Sequence, residues 1–498
     1  MGIVKKQAYK NTIMLYIGMV VAYVNTVLLF PNIIGDDGFG FYNLIITISV
    51  LYSLAASLGV PSIIAKYFPF YRTDDRRHTG FIHWAALLAF AGFAAATVLY
   101  IIFKPVIVSA YIENSPLLIK YYYFMIPLTA FVVIFNFLEM TGRVIYKTMY
   151  SNFLQFVLLR LATTAMLLLV QQGWLTFDGF IMGYIVSNGI ISLLLLISLA
   201  FSGNFSYRFH REGAKTIQRK QIINFGLYTM ISSSVYVLLQ KVDTLMLSAM
   251  AGDGVQGVYS WYFSIALVIS VPAQALSRTT YAIVADAWSR HDMANIKQVY
   301  TKTSIIQMVA GVLLFVGIFV NRENLYALAR NKDFTDPQYF TLFVVIGLGF
   351  LADITGGLNT YIITTSHKYR LMTALIILAS IFCITLNYFL IPVYAGLGAA
   401  IAYFLTIAGI NFCCWLYIKI RFKMQPFTVK HMLVIVIGVI TYLVGKYFWH
   451  LPNVWLDIAV RSSITGLVYL GLTYFFKISA DVNEKVDEVF ARFLSKKT

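Results

Sequence analysis

Seven charged residues stand inside long apolar runs of the sequence: Lys66, Arg160, Lys241, Asp243, Arg278, Asp353 and Arg461. A charge at the centre of a lipid bilayer costs about 2.5–3.5 kcal/mol on insertion scales, so each asks for a compensating role. Five of the seven are basic and two acidic, and a wet cavity with that bias suits an anionic group such as phosphate. Lys241 and Asp243 lie in YVLLQKVDTLML two residues apart, on different faces of a helix, and cannot simply neutralise one another. Lys241, Arg160 and Asp353 read as cavity-lining residues. For Asp243, a structural hydrogen bond to a neighbouring helix is the competing reading. Lys66 and Arg278 end long apolar runs, where snorkelling to the headgroups competes with a role in binding. Arg461 reads as a snorkelling residue.

The elements that carry these charges follow from composition. Of the 498 residues, 59% are hydrophobic and 12% charged, and the mean hydropathy is +0.76. Soluble domains ordinarily carry about 25% charged residues, so much of this surface faces lipid. A bilayer core of about 30 Å needs roughly 20 apolar residues in a helix. Runs of that kind occur near 11–33, 40–68, 81–103, 117–138, 152–171, 177–201, 222–250, 256–285, 303–320, 338–365, 371–391, 396–418, 431–449 and 455–476. The connecting segments test the count of fourteen, because Lys and Arg collect on the cytoplasmic side. With the N-terminus inside, cytoplasmic segments hold 27 Lys and Arg and outer segments 6. A miscount of one helix would scramble this alternation, so both ends are expected in the cytoplasm. The first run lacks a signal-peptidase pattern and is expected to be retained. Cys383, Cys413 and Cys414 lie in apolar runs with no disulfide or metal spacing, and no metal or cofactor site is expected. The tail at 478–498 places Val482, Val486, Val489, Phe490 and Phe493 on one face, as an interfacial amphipathic helix does.

The sequence also repeats. After the first run it reads IGDDGFGFYNL and after the seventh AGDGVQGVYSW. At an offset of 217, Gly35, Asp36, Gly40 and Tyr42 fall on Gly252, Asp253, Gly257 and Tyr259. Each copy reads as a helix end, a turn permitting positive φ, and an aromatic opening the next helix. Two lobes of six helices follow, an N-lobe over 1–203 and a C-lobe over 222–420, joined by a cytoplasmic linker at 204–221. Six is even, so the lobes share an orientation and a pseudo-two-fold along the membrane normal. Helices 13 and 14, over 421–477, are additions. The expected fold is therefore all-α and integral to the membrane.

IIGDDGFGFYNL with LGVPSIIAKYF, and QKVDTLMLSAMAGDGVQGVYSWYF, resemble the Wzx-type polysaccharide exporters of the multidrug/oligosaccharidyl-lipid/polysaccharide (MOP) superfamily. The matching positions are Gly40, Tyr42, Gly59, Pro61, Ser62, Lys66 and Tyr67, then Asp243 with Met246 and Leu247. The basic residue and Pro-Glu often found in that family's first turn are missing from PNIIGDDG. The resemblance implies a flippase that moves a polyprenyl-diphosphate-linked oligosaccharide from the inner to the outer leaflet of a bacterial inner membrane by alternating access. The substrate would meet Lys241, Arg160, Arg278 and Lys66, and a coupling ion, H+ or Na+, would use Asp243 and Asp353. Membrane lipids and polysaccharide-assembly proteins are the implied partners.

Two rivals remain at this level. A drug or cation antiporter of the same superfamily would want a net acidic cavity. A membrane glycosyltransferase or polymerase could use Asp36 and Asp37 as an acidic pair, but the Gly-Asp recurs at 252–253 and the loop is too short to build a site. No G-x-x-x-x-G-K-[ST] sequence occurs, so nothing points to ATP as the energy source.

Overall fold

A computed structural model describes residues 2–72, 80–201, 219–479, 483, 484 and 487, with side chains from residue 13 onward and not at 277–279 or 369. Fourteen of its helices are long and apolar enough to cross a membrane. They are α1 (Ile13–Ile33), α2 (Gly35–Ala56), α3 (Phe81–Ile102), α4 (Tyr122–Val144), α5 (Met149–Gln171), α6 (Phe177–Phe201) and α7 (Arg219–Met250). Then come α8 (Asp253–Leu276), α9 (Met293–Val320), α10 (Pro337–Gly356), α11 (Arg370–Tyr394), α12 (Gly396–Phe422), α13 (Val429–Lys446) and α14 (Val454–Phe475). The protein is a multi-pass helical membrane protein. Most of the linker at 204–221 and of the tail at 478–498 lies outside the described residues.

The chain forms two compact units, residues 1–260 and 261–498, so α7 and the first turns of α8 belong with the first six helices. In the first unit α2 is central and packs against α3, α4 and α7, while α4 and α5 pack on α6. In the second, α12 packs between α10 and α11, and α13 lies along α9.

Two apolar runs that read as single long helices are broken. The second ends at Ala56, and Leu58 and Gly59, with φ of 47° and 70°, turn the chain into a short helix, Val60–Tyr71. Pro61 in the first turn of that helix needs no backbone donor there. Gly59 is required by packing as well as by its φ, because a Cβ there would overlap the Gly226 carbonyl oxygen on α7. The tenth run breaks at Gly357 (φ 63°) and resumes as Asn359–Thr365. Hydropathy averaged over twenty residues passes over both breaks.

The paired turns of the sequence repeat meet one another. Gly35 and Gly252 take the positive φ expected, 73° and 100°. A Cβ on Gly40 would overlap the Asp253 carbonyl oxygen, and one on Gly257 would overlap the Asp36 carbonyl oxygen. The contact is reciprocal at the offset of 217, and it brings the first turns of α2 and α8 to backbone contact.

Candidate functional site

Arg160 is held by two widened helices. α1 carries a π-helical stretch at Val24–Leu29 and α5 another at Leu154–Leu158. Such turns shift the face a helix presents and recur at functional sites. Buried Asn25, in the first, donates its Nδ2 hydrogen to the Arg160 carbonyl at 3.0 Å. The Thr164 hydroxyl lies 2.7 Å from Asn25 Oδ1 and 2.9 Å from that same carbonyl. This fixes the backbone at Arg160. The phenols of Tyr42 and Tyr184, whose rings meet edge to face at 5.1 Å, lie within electrostatic range of its guanidinium. Among the described residues no carboxylate pairs with it. A half-buried arginine facing two neutral hydroxyls keeps its charge available to an anion. Sequence reasoning missed Asn25, Thr164 and Tyr184. Tyr42 was visible only as part of the repeat.

On α7, Lys241 stands nine residues before Met250, about 14 Å along the helix axis. It makes no hydrogen bond or ion pair among the described residues. Buried Asp243, two residues on, accepts a hydrogen bond of 2.9 Å from the Tyr259 hydroxyl. The equivalent tyrosines of the repeat thus serve opposite charges, Tyr42 beside Arg160 and Tyr259 on Asp243. Lys66 places its ammonium 3.9 Å from the centroid of Phe225 on α7, a cation–π contact. Arg278 lies in the helix Val271–Ser289, and its side chain is outside the described residues. The basic residues described do not form one cluster. Lys66, Arg160 and Lys241 occupy separate surroundings.

In the second unit Asp353 sits one turn before the α10 break. Its Oδ1 accepts from Asn411 Nδ2 of α12 at 2.9 Å. Asn359, just past the break, donates to the Asn411 carbonyl at 3.2 Å and accepts from the Tyr300 hydroxyl of α9. Beside this polar chain runs an apolar cavity of about 610 Å³ among α9, α10, α12 and α13, lined by Phe315, Phe319, Leu351, Trp415 and Tyr442 among others.

Arg461 does not snorkel. It is 1% exposed and bonds Asp457 through Nε at 3.0 Å, the Gly445 carbonyl at 2.7 Å and His450 Nδ1 at 2.9 Å. Asp457, also 1% exposed, accepts from Asn324 at 2.6 Å and from the Leu451 backbone at 2.9 Å. The signal was present in the sequence, because Asp457 and Arg461 are four residues apart on one helix.

Among the described residues no group of three or more His, Cys, Asp or Glu could hold a metal ion. Solved structures share the fold. The lipid II flippase MurJ, in an inward closed conformation, aligns at TM-score 0.72 and 13% identity over 94% of this chain and 98% of that one. An outward-facing multidrug resistance MATE family transporter of the MOP superfamily aligns at 0.55 and 15%, over 84% and 96%. A MOP superfamily transporter from Pyrococcus furiosus aligns at 0.54 and 14%, over 89% and 97%. No curated protein matches the sequence. The profile of the polysaccharide biosynthesis protein family matches residues 4–281, more than half of the chain, and the protein belongs to that family.

Proposed function

We propose that the protein is a flippase that carries a polyprenyl-diphosphate-linked oligosaccharide from the inner to the outer leaflet of a bacterial inner membrane, with both termini cytoplasmic. The observation that carries this reading is Arg160, held by Asn25, near two tyrosines and paired with no carboxylate among the described residues, in a member of the polysaccharide biosynthesis family. Arg160 and Lys241 bind the diphosphate; they come from the two halves of the sequence repeat, 1–203 and 222–420, and both lie in the first unit, residues 1–260. Lys66 and Arg278 meet the substrate nearer the cytoplasmic headgroups. The apolar cavity of about 610 Å³ in the second unit fits part of a polyprenyl chain. Asp243 and Asp353 couple a cation, H+ or Na+, to the cycle. Polysaccharide-assembly proteins would supply and take the cargo.

Physics sets the direction. Each negative charge moved outward gains about 2.3 kcal/mol per 100 mV of inside-negative potential, so a diphosphate lipid is driven toward export without ATP. Binding tests the site. Purified protein should be photolabelled by a polyprenyl diphosphate bearing a diazirine, and labelling should fall about tenfold or more in Arg160→Ala, the loss of a charge-assisted contact of 1.4 kcal/mol or more. Equal labelling of the folded variant would remove Arg160 from the binding site.

A further inference from the structure

We propose that Lys419 holds the diphosphate of the lipid while it is still in the cytoplasmic leaflet, with the polyprenyl chain in the apolar cavity of the second unit. This rests on the reading of that cavity as a chain site, and it adds a headgroup site separate from Arg160 and Lys241.

None of the residues lining the cavity is charged. The cavity gains a charge where its stripe on α12 continues. Ala408, Asn411, Phe412 and Trp415 line it at helical spacing, and the next residue of that stripe is Lys419. Lys419 Nζ lies 4.8 Å from the centroid of the Trp415 ring, a cation–π contact, so the ammonium meets a lining residue. Trp415 also has a donor to spare, because its Nε1 is buried with no hydrogen-bond partner. Among the described residues no carboxylate pairs with Lys419.

Phe427 lines the cavity beside Trp415, with ring centroids 5.8 Å apart, and it belongs to the segment that joins α12 to α13. From 419 to 430 that stretch reads KIRFKMQPFTVK, with Lys419, Arg421, Lys423 and Lys430 and no acidic residue. Lys430 donates its ammonium to the Lys477 carbonyl at 2.8 Å, which leaves Lys419 as the cation placed on the lining stripe. The bias of Lys and Arg assigns this end to the cytoplasm. Basic pockets between spanning helices on that side take anionic headgroups.

The dimensions choose among anionic lipids. From Ala408 to Lys419 is about 16 Å along α12, and from Met308 to Phe319 about the same along α9. A volume of about 610 Å³ over that length is a narrow bore. It suits one chain, whereas a phospholipid brings two. A chain lying in it from Ala408 toward Trp415 ends with its head at Lys419.

The test uses the full chain in phosphatidylcholine nanodiscs. Two probes carry the same diazirine-bearing polyprenyl chain, one as the diphosphate and one as the free alcohol. Labelling is read by mass spectrometry on the peptides that contain Trp415 and Phe427. Both probes should label them, the diphosphate at a half-saturating concentration about tenfold lower or more, which corresponds to 1.4 kcal/mol. Lys419 is exposed, so its variants should keep the native Tm. Lys419→Gln should remove most of the difference between the probes without moving the value for the alcohol, and Lys419→Arg should restore it. A diphosphate preference unchanged in Lys419→Gln would overturn the headgroup site and leave the chain in the cavity. Displacement of the diphosphate probe by an equal concentration of phosphatidylglycerol would overturn it too, since the cavity would then take any anionic lipid. Labelling of neither peptide would remove the chain from the cavity and the headgroup site with it, while Arg160 stands or falls by its own labelling.

Discussion

Two arginines in this protein have the same side chain and opposite circumstances. Arg461 is closed in by a carboxylate, a carbonyl and an imidazole, while Arg160, among the described residues, has two phenols and no carboxylate near it. Breaking a buried pair by removing one partner costs about 3–5 kcal/mol, because the other charge is left stranded. Arg461→Ala is therefore expected to lower the Tm or the yield of monodisperse protein sharply, and Asp457→Ala equally. Arg160→Ala strands nothing and should keep the native Tm. A normal Tm in Arg461→Ala would mean that Asp457 finds a new partner or water. Asp243 calls for a finer change. In Asp243→Asn an amide oxygen can still accept from Tyr259, so the variant should fold, and loss of transport with normal expression would mark ion coupling. Loss of expression would mark the bond as structural. Residue chemistry was the least legible part of the sequence. Hydropathy flags a charge in an apolar run but not its partner, and Asn25, Tyr184 and Asn411 come from distant segments with no spacing rule to announce them.

At the scale of elements, the sequence located all fourteen spans and was blind to their interruptions. A window of about twenty residues cannot register the two-residue turn at Leu58 and Gly59 or the single positive φ at Gly357. Nor can it register π-helical stretches, whose extra residue leaves composition unchanged. The Gly/Asp turns were legible because glycine there has a local cause, a positive φ at Gly35 and Gly252. The contact between the turns was not, since it depends on how α2 and α8 pack. Gly40→Val and Gly257→Val should each lower folded protein to a similar degree, because either β-carbon overlaps a backbone carbonyl of the other turn. Wild-type yield of both in a fluorescence size-exclusion assay would show that the helix ends separate without cost. Gly59→Ala should be damaging too, from its φ of 70° and the facing Gly226.

For the whole molecule, the charge bias along the sequence sets an expected topology. The 27 to 6 bias of Lys and Arg predicts which segments face which side. In a chain whose Cys383, Cys413 and Cys414 are replaced by Ala, single cysteines at Asn114 and Asn453 should react with an impermeant maleimide from outside intact cells. One at Gly213 should react only after lysis, and its labelling in intact cells would reverse or break the fourteen-span arrangement. The central claim, that cationic residues carry an anionic glycolipid outward, is tested most directly in vesicles. Reconstituted protein with a fluorescent polyprenyl-diphosphate oligosaccharide would be followed while a potassium gradient and valinomycin set the potential. The native chain should flip the lipid faster when the potential favours movement of negative charge, and the Arg160→Ala, Lys241→Ala double variant should not flip it at either polarity. Native flipping by the folded double variant, with the same dependence on potential, would contradict the account.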